Sequence, residues 1–96
     1  MRTFKSDGRY KYYSQGLGHI VEFRWADTED RRLFLKLRVA LIELYGDDNE
    51  RVTGNNGYSY WKGNEYWRSE QNRSAKRRRI YLKDETALSL ILLRVE

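Results

Sequence analysis

The most regular alternation of apolar and polar positions lies between Asp27 and Gly46 and predicts one long α-helix. Apolar side chains recur there every three or four residues, which is the spacing of a single helix face. These positions are Leu33, Phe34, Leu37, Ala40, Leu41, Leu44 and Tyr45. Asp27 is a favourable N-cap, and Gly46 stands where a residue with positive φ commonly ends a helix. Glu29 and Asp30 would lie in the first turn, where the helix dipole favours negative charge.

A second group of apolar side chains falls outside this stripe. It consists of Leu35, Val39 and Ile42, and it makes the apolar surface of the helix wider than contact with one sheet requires. Either a further element covers these residues, or they form a surface for a partner. They are therefore the candidates for a protein interface, including one between copies of this chain.

Two-residue alternation predicts strands near the N-terminus. Residues 9–13 alternate with a high aromatic content, and residues 19–25 form a second strand whose buried face ends with Trp25. The glycine-containing segment 15–18 predicts a turn, so the two strands are expected to form a hairpin. Residues 1–8 are mostly polar and are expected to be a flexible N-terminus.

Residues 58–69 predict a tight aromatic hairpin between two loops. A turn at 63–64 is expected because glycine in the first position suits a type II′ turn. The pairs across this hairpin would be Trp61 with Tyr66 and Tyr60 with Trp67. Only one face can be buried, so the other would expose a tyrosine and a tryptophan. Composition predicts loops over 47–57 and 70–77, the second of which is alternatively a helix that forms only against a partner.

The chain ends in a strand, a short helix and an apolar segment. Residues 78–83 predict the strand and 84–89 the short helix. Residues 90–95 predict a buried strand, although one continuous helix over 85–95 fits the same pattern. Two successive strand–helix–strand units predict an α+β fold of the ferredoxin-like sandwich type, with an antiparallel sheet, one long helix and one short helix. Residues 9–96 are expected to form a single domain.

One segment resembles part of a known class of proteins. Residues 79–95 combine a strand, an acidic turn, a short helix and an apolar ending with the letters LRV. This arrangement resembles segments of small α+β proteins encoded by tailed phages, in which the ending is LRW. The resemblance implies a phage-type accessory protein that binds a host protein or nucleoprotein complex, and it transfers no functional residue.

The charge of the chain is concentrated in one band. Residues 57–83 hold six aromatic, eight basic and two acidic residues, a formal charge of +6, whereas the whole chain carries +5. The remaining residues therefore sum to −1. Such a band is typical of surfaces that meet polyanions, because cations neutralise phosphates and flat rings stack on bases.

Several functional classes find no support in the sequence. The chain has no cysteine, which excludes disulfides and thiolate metal sites, and it has no apolar run of membrane-spanning length. We expect a cytoplasmic protein with no membrane partner. The string at 45–48 (YGDD) occurs in viral RNA polymerases, where its aspartates hold metal, but a glycine and two acids after a helix also form an ordinary stop. His19 has no recognisable nucleophile, so we expect no catalytic site, no metal and no cofactor.

The sequence favours a small nucleic-acid-binding protein, with single-stranded or structured RNA, or single-stranded DNA, as its ligand. Basic and aromatic side chains of the band would provide the contacts, by phosphate neutralisation and by base stacking. The basic candidates are Arg73, Lys76, Arg77, Arg78, Arg79, Lys62 and Arg68, and the aromatic candidates are Trp61, Trp67, Tyr60 and Tyr66. The alternatives are binding of a host protein or nucleoprotein, and self-association.

Overall fold

The computed structural model of the chain describes residues 1–72, 74–85, 89 and 93. Its elements in chain order are β1 (Arg2–Lys5), a short 3-10 helix (Tyr13–Gln15), β2 (His19–Arg24), α1 (Thr28–Tyr45), β3 (Asn49–Thr53), β4 (Ser59–Gly63), β5 (Trp67–Asn72) and β6 (Arg77–Leu82). Four strands form a main sheet in the order β1-β2-β6-β5, and β3 and β4 form a separate hairpin, here called the arm. Every pairing between these strands is antiparallel. The prediction of an α+β fold with an antiparallel sheet and one long helix is confirmed.

The main sheet contains one split β–α–β unit. β2 and β5 both pair antiparallel with β6, so they run in the same direction on either side of it, and α1 lies in the connection between them. β1, the first strand of the chain, occupies the edge beside β2. A ferredoxin-like sheet would place the strand after a second helix at this edge. The ferredoxin-like topology is therefore not confirmed.

One face of the main sheet, here called the helix face, packs against α1. The buried cluster between them consists of Val21, Phe23, Phe34, Leu37, Ala40, Leu41, Trp67, Ile80 and Leu82. α1 begins as predicted, because the Asp27 carboxylate accepts a hydrogen bond of 3.1 Å from the backbone N–H of Asp30. It ends at Gly46, whose φ of +83° suits glycine. Both helix boundaries are thus confirmed.

The opposite face, here called the loop face, is covered by the segment between β1 and β2. Leu17, Ile20 and Tyr81 are fully buried there, and aromatic side chains of the segment pack around them. The predicted strand over 9–13 is wrong, because Tyr12 turns the chain with a φ of +69° and its ring packs edge-on against Tyr81 at 5.1 Å. Residues 2–5, expected to be flexible, form β1 instead.

The predicted hairpin over 58–69 is also wrong. β4 pairs with β3, with Trp61 opposite Arg51, and β5 pairs with β6 in the main sheet. The predicted loops at 47–57 and 70–77 therefore contain β3, the second half of β5 and the first residue of β6. The polar turn at 54–57 closes the arm, while the chain crosses from the arm to the main sheet between Gly63 and Trp67.

The predicted strand over 78–83 is confirmed as β6, within one residue at each end. Beyond it, Glu85, Ser89 and Leu93 are helical, and Leu93 is exposed. The expected strand over 90–95 is therefore wrong at Leu93. The rest of that prediction, and most of the short helix over 84–89, lie outside the described residues.

Candidate nucleic-acid interface

The arginine run does not form one exposed patch, because its residues alternate between the two faces of β6. Arg79 points to the loop face, where its Nε lies 2.8 Å from a carboxylate oxygen of Glu22 and its side chain is only 11% exposed. Burial by itself would lower the pKa of Arg79, but hydrogen bonds with Glu22 and Tyr81 raise it, so the guanidinium stays charged. Arg79 is thus a paired structural cation rather than an accessible one.

Arg78 points to the helix face, at the margin of the core. Its guanidinium carbon lies 3.6 Å from the ring centroid of Trp25 and 5.2 Å from that of Phe34. Trp25 in turn packs edge-on against Phe34 at 5.6 Å. These cation–π contacts hold the guanidinium plane in a fixed orientation.

A pocket of about 250 Å³ opens at this end of the main sheet, where β2 and β5 end and β6 begins. Its lining consists of Trp25, Ala26, Gln71, Asn72, Lys76, Arg77 and Arg78. Among the described residues that line it there are three cations, two carboxamides and an aromatic ring, and no carboxylate. Amide and guanidinium N–H groups beside cations are the donors that bind phosphate oxygens.

Lys76 and Arg77 are held in the pocket wall in different ways. Lys76 has a φ of +51°, which turns the chain just before β6, and its backbone carbonyl accepts a 2.9 Å hydrogen bond from the N–H of Trp25. The Nε of Arg77 is buried without a hydrogen-bond partner in the part of the chain that the structure describes. Arg73, also predicted to bind, lies outside the described residues.

The four predicted stacking residues occupy three different environments. Trp67 is fully buried, and its indole N–H donates to the carbonyl of Gly46 at 2.9 Å. Tyr66 stacks on Tyr45 with 4.8 Å between the ring centroids, and it is 44% exposed. Tyr60 and Trp61 lie on the arm and are 56% and 70% exposed. Only these last two present a ring to solvent without an intramolecular ring partner among the described residues.

The arm exposes different chemistry on its two sides, because neighbouring residues of a strand point to opposite faces. Trp61 and Arg51 face each other across the strands on one side, and the Arg51 guanidinium donates to the Ser59 hydroxyl at 2.9 Å. Tyr60 lies on the other side, opposite Val52. Lys62, a predicted phosphate contact, is on the same side as Tyr60 and opposite Glu50.

The root of the arm is fixed by polar contacts. Asn64 donates from its side chain to the carbonyls of Tyr45 and Asp47, at 2.7 and 3.1 Å, and accepts from the N–H of Tyr66 at 2.8 Å. The Asp48 carboxylate accepts hydrogen bonds from the backbone N–H and the hydroxyl of Ser69. The contact with Ser69 holds the Asp48 carboxylate against β5 and thus gives the segment 45–48 (YGDD) a structural role.

Arg68 connects the arm to the loop face of the main sheet. Its guanidinium donates to the Asn49 side-chain oxygen at 2.9 Å and lies 4.9 Å from the ring centroid of Tyr12. A Cβ at Gly63 would collide with this guanidinium, so a larger residue there would force the Arg68 side chain to move. Arg68 therefore has neutral hydrogen-bond partners and a positional role at the joint.

The acids on the loop face are paired with cations. Glu22 pairs with Arg79, and Glu70 lies 3.8 Å from the ammonium of Lys11 and accepts a 2.9 Å hydrogen bond from the Tyr81 hydroxyl. Burial, followed by the hydrogen bond with Glu70, raises the pKa of Tyr81 to about 12, although Arg79 acts in the opposite direction. The loop face is thus close to charge balance around these pairs.

The candidate protein interface on α1 is only partly exposed. Leu35 and Val39 are 53% and 57% exposed, whereas Ile42 packs against the core on the helix face.

Within the described residues, no helix is long and apolar enough to cross a membrane. No three potential metal ligands among His, Cys, Asp and Glu cluster in that same part of the chain.

Comparison with known proteins yields no match for this chain. No protein-family model matches it, and no curated protein and no solved structure matches it either.

Sequence reasoning missed three residues outside the basic band, namely Trp25, which lines the pocket, and the cations Arg51 and Lys11, which lie elsewhere. Trp25 was expected to be a plain core residue because it continues the buried alternation of β2. Arg51 stood in a predicted loop, and Lys11 in a predicted strand. The one available signal for Arg51 was the polar turn at 54–57, which is typical of a hairpin and would have placed Arg51 opposite Trp61.

Proposed function

We propose that this protein binds single-stranded nucleic acid, RNA or single-stranded DNA, and that the pocket at the end of the main sheet holds a phosphate of the ligand. The observation that carries the proposal is the lining of this pocket, in which Lys76, Arg77 and Arg78 occur together with Trp25 and no carboxylate occurs among the described lining residues. Arg78 is oriented by its stacking on Trp25. Positioned cations of this kind contribute the electrostatic part of nucleic-acid affinity.

The absence of an evident recognition helix among the described elements favours single strands over duplex. α1 buries one face against the sheet and exposes Leu35 and Val39 elsewhere, which does not suit a major groove lined by polar base edges. The exposed rings of the arm suit unpaired bases, because stacking requires a base that is free of its own neighbours.

The test is the affinity for a labelled oligonucleotide of about 16 nucleotides, measured by fluorescence anisotropy across a range of salt concentrations. Lys76→Asn combined with Arg77→Gln removes two pocket charges, and asparagine tolerates the positive φ at position 76. If each removed cation contacts one phosphate, the slope of log K against log salt becomes shallower by about 1.4. RNA, single-stranded DNA and duplex DNA are compared in the same assay.

The matched control is Lys36→Gln combined with Arg38→Gln, which removes the same charge from the exposed surface of α1. It should leave the slope within about 0.3 of that of the unmodified protein, since distant exposed charges are screened. If both double variants change the salt slope equally, the affinity depends on the net charge of the protein and not on the pocket. Absence of any binding at about 50 mM salt would refute the proposal.

A protein partner is the second candidate function, as expected of an accessory protein that binds a host protein or nucleoprotein. The observation that favours it is the exposure of Leu35 and Val39 on α1, where neither side chain is buried by the described part of the chain. Affinity capture from a host lysate with and without nuclease separates the two candidates. Capture that survives nuclease and is lost in a Leu35→Ser, Val39→Ser variant supports the protein partner.

A further inference from the structure

The exposed side of the arm that carries Trp61 continues into the loop face of the main sheet. Trp61 and Gly63 point to the same side of β4 because they are two residues apart. Gly63 lies against the guanidinium of Arg68, and Arg68 packs over Tyr12 on the loop face. The side of the arm that holds Trp61 and Arg51 therefore adjoins the loop face at this joint.

The cationic pocket also reaches this face. Arg77 shares the loop side of β6 with Arg79 and Tyr81, by the same alternation, and it pairs across the strands with Asn72. Asn72 and Arg68 lie on one side of β5, four residues apart, which is about 13 Å. Two further residues along β4 lead from Gly63 to Trp61, a step of about 7 Å.

The charges along this line fit a polyanion. Its cations that pair with no carboxylate among the described residues are, from the pocket to the arm, Arg77, Arg68 and Arg51. Arg68 and Arg51 donate to neutral oxygen atoms of Asn49 and Ser59, so their hydrogen bonds position them without pairing them with a carboxylate. Glu70, which lies along the line, is engaged by Lys11 and by the hydroxyl of Tyr81.

The arm is not stabilised by a hydrophobic core of its own among the described residues. An isolated two-stranded hairpin is marginal in water, and neither buried cluster in the described chain includes one of its residues. Nevertheless, its root is fixed by the contacts of Asn64, Asp48 and Arg68. The molecule thus holds an exposed tryptophan, 70% accessible, in a defined position next to an arginine.

We propose that the loop face and the Trp61 side of the arm form one continuous track for a single strand of nucleic acid. Phosphates enter at Arg77 and pass Arg68, and an unpaired base stacks on Trp61 while Arg51 contacts an adjacent phosphate. The proposal rests on the proposed function and adds the path, the stacking residue and a requirement for length. Since the two ends of the track are about 20 Å apart along the strands, only a ligand that spans them gains both contacts.

The test compares Trp61→Ala with Tyr60→Ala, which removes an exposed ring from the opposite side of the same strand. Affinity is measured for a 5′-phosphorylated dinucleotide, which is too short to reach both ends of the track, and for a single strand of about 16 nucleotides. We expect Trp61→Ala to weaken binding of the long strand by about 5- to 150-fold, the range for loss of one stacked base. Binding of the dinucleotide should change by less than about twofold, because the pocket alone holds it.

Further variants separate a stacking role from a structural one. Tyr60→Ala should leave both affinities within about twofold, and Trp61→Phe, which keeps a ring, should recover most of the loss. Arg51→Gln should lower affinity for the long strand and make its salt slope shallower by about 0.7, whereas Lys62→Gln on the other side should not.

Two outcomes overturn the track and are distinguishable from failure of the proposed function. If Trp61→Ala binds the long strand normally while Lys76→Asn with Arg77→Gln weakens it, the pocket binds nucleic acid but the arm does not. If Tyr60→Ala weakens binding as much as Trp61→Ala, the contact does not follow the loop face. If the unmodified protein binds neither strand at about 50 mM salt, the proposed function fails and the track fails with it.

Discussion

Trp67 and Trp61 illustrate, at the scale of single residues, how differently two tryptophans six positions apart can be used. Both belong to the same aromatic segment, and the sequence predicts that one ring pair is buried and the other exposed. The structure buries Trp67 in the core and exposes Trp61 on the arm. The sequence could not distinguish them, because the choice depends on where the chain leaves the arm for the main sheet.

Substitution of the two tryptophans by phenylalanine should lower the stability of the protein to very different extents. Trp67→Phe removes the hydrogen bond to the Gly46 carbonyl and leaves space in a fully buried site, so we expect the free energy of unfolding to fall by about 2 kcal/mol. Trp61→Phe, on the exposed arm, should change it by less than about 0.5 kcal/mol. Urea unfolding followed by far-UV circular dichroism measures both, and equal effects would contradict the burial described above.

Tyr81 should make stability depend on pH at alkaline values. Its pKa is about 12 in the folded protein, raised by burial and by Glu70 from the usual value of 10.0. The unfolded state therefore loses this proton at lower pH than the folded state, so the associated stability is complete below pH 10 and is lost between pH 10 and pH 12.

The measurement is the difference in urea midpoint between the unmodified protein and Tyr81→Phe at pH 8.5 and at pH 11. Phenylalanine lacks the titrating hydroxyl, so the difference in favour of tyrosine should shrink at the higher pH. Other alkaline titrations occur in both proteins and largely cancel. A difference that stays constant between the two pH values would show that the hydroxyl is not protected in the folded state.

At the scale of elements, the sequence predicted the helix and the strands in which the apolar pattern and the residues at the boundaries indicate the same structure. α1 has an apolar stripe, an N-cap at Asp27 and a terminating Gly46, and β2 and β6 are rich in apolar side chains. β1 and β5 were missed because each is an edge strand of the main sheet with one buried or half-buried apolar side chain, Phe4 or Trp67. Such strands depend on pairing with a neighbour, which local periodicity does not encode.

The arm was missed for a different reason, because a turn signal flanks the same strand on each side. The turn at 54–57 and the pair at 63–64 both suit hairpins, and in the structure only the first forms one, in which β4 pairs with β3. Asn64 decides between them in the structure, since its side chain bonds to the carbonyls of Tyr45 and Asp47 at the end of α1. This contact joins residues far apart in the chain and leaves no local signature.

The arm should be removable without loss of the main fold. Residues 51–61 can be replaced by Asn-Gly, which suits a two-residue turn between Glu50 and Lys62, a directly opposed pair. Because the described core clusters contain no arm residue, we expect the free energy of unfolding to change by less than about 1 kcal/mol. Urea unfolding tests this, and loss of a cooperative transition would show that the arm supports the core.

At the scale of the whole molecule, the basic band of the sequence becomes two separate regions. The pocket lies at one end of β5 and the root of the arm at the other, five residue steps or about 17 Å apart. Composition predicted the residue types of both regions, but not that Arg79 is neutralised by Glu22 or that Trp25 joins the pocket. Both facts follow from strand pairing, which brings residues more than fifty positions apart into contact.

The antiparallel ladder of the arm also constrains how far Trp61 can stand from the body. Each residue added to both strands above the root lengthens the arm by about 3.4 Å and reverses the side on which every later side chain points. A homologue or a designed variant with a longer arm could keep the tryptophan on the Arg68 side only if its strands grew by two residues at a time. The reach of the arm is therefore adjustable in steps of about 7 Å, and insertions of odd length would turn the ring toward the side of Tyr60.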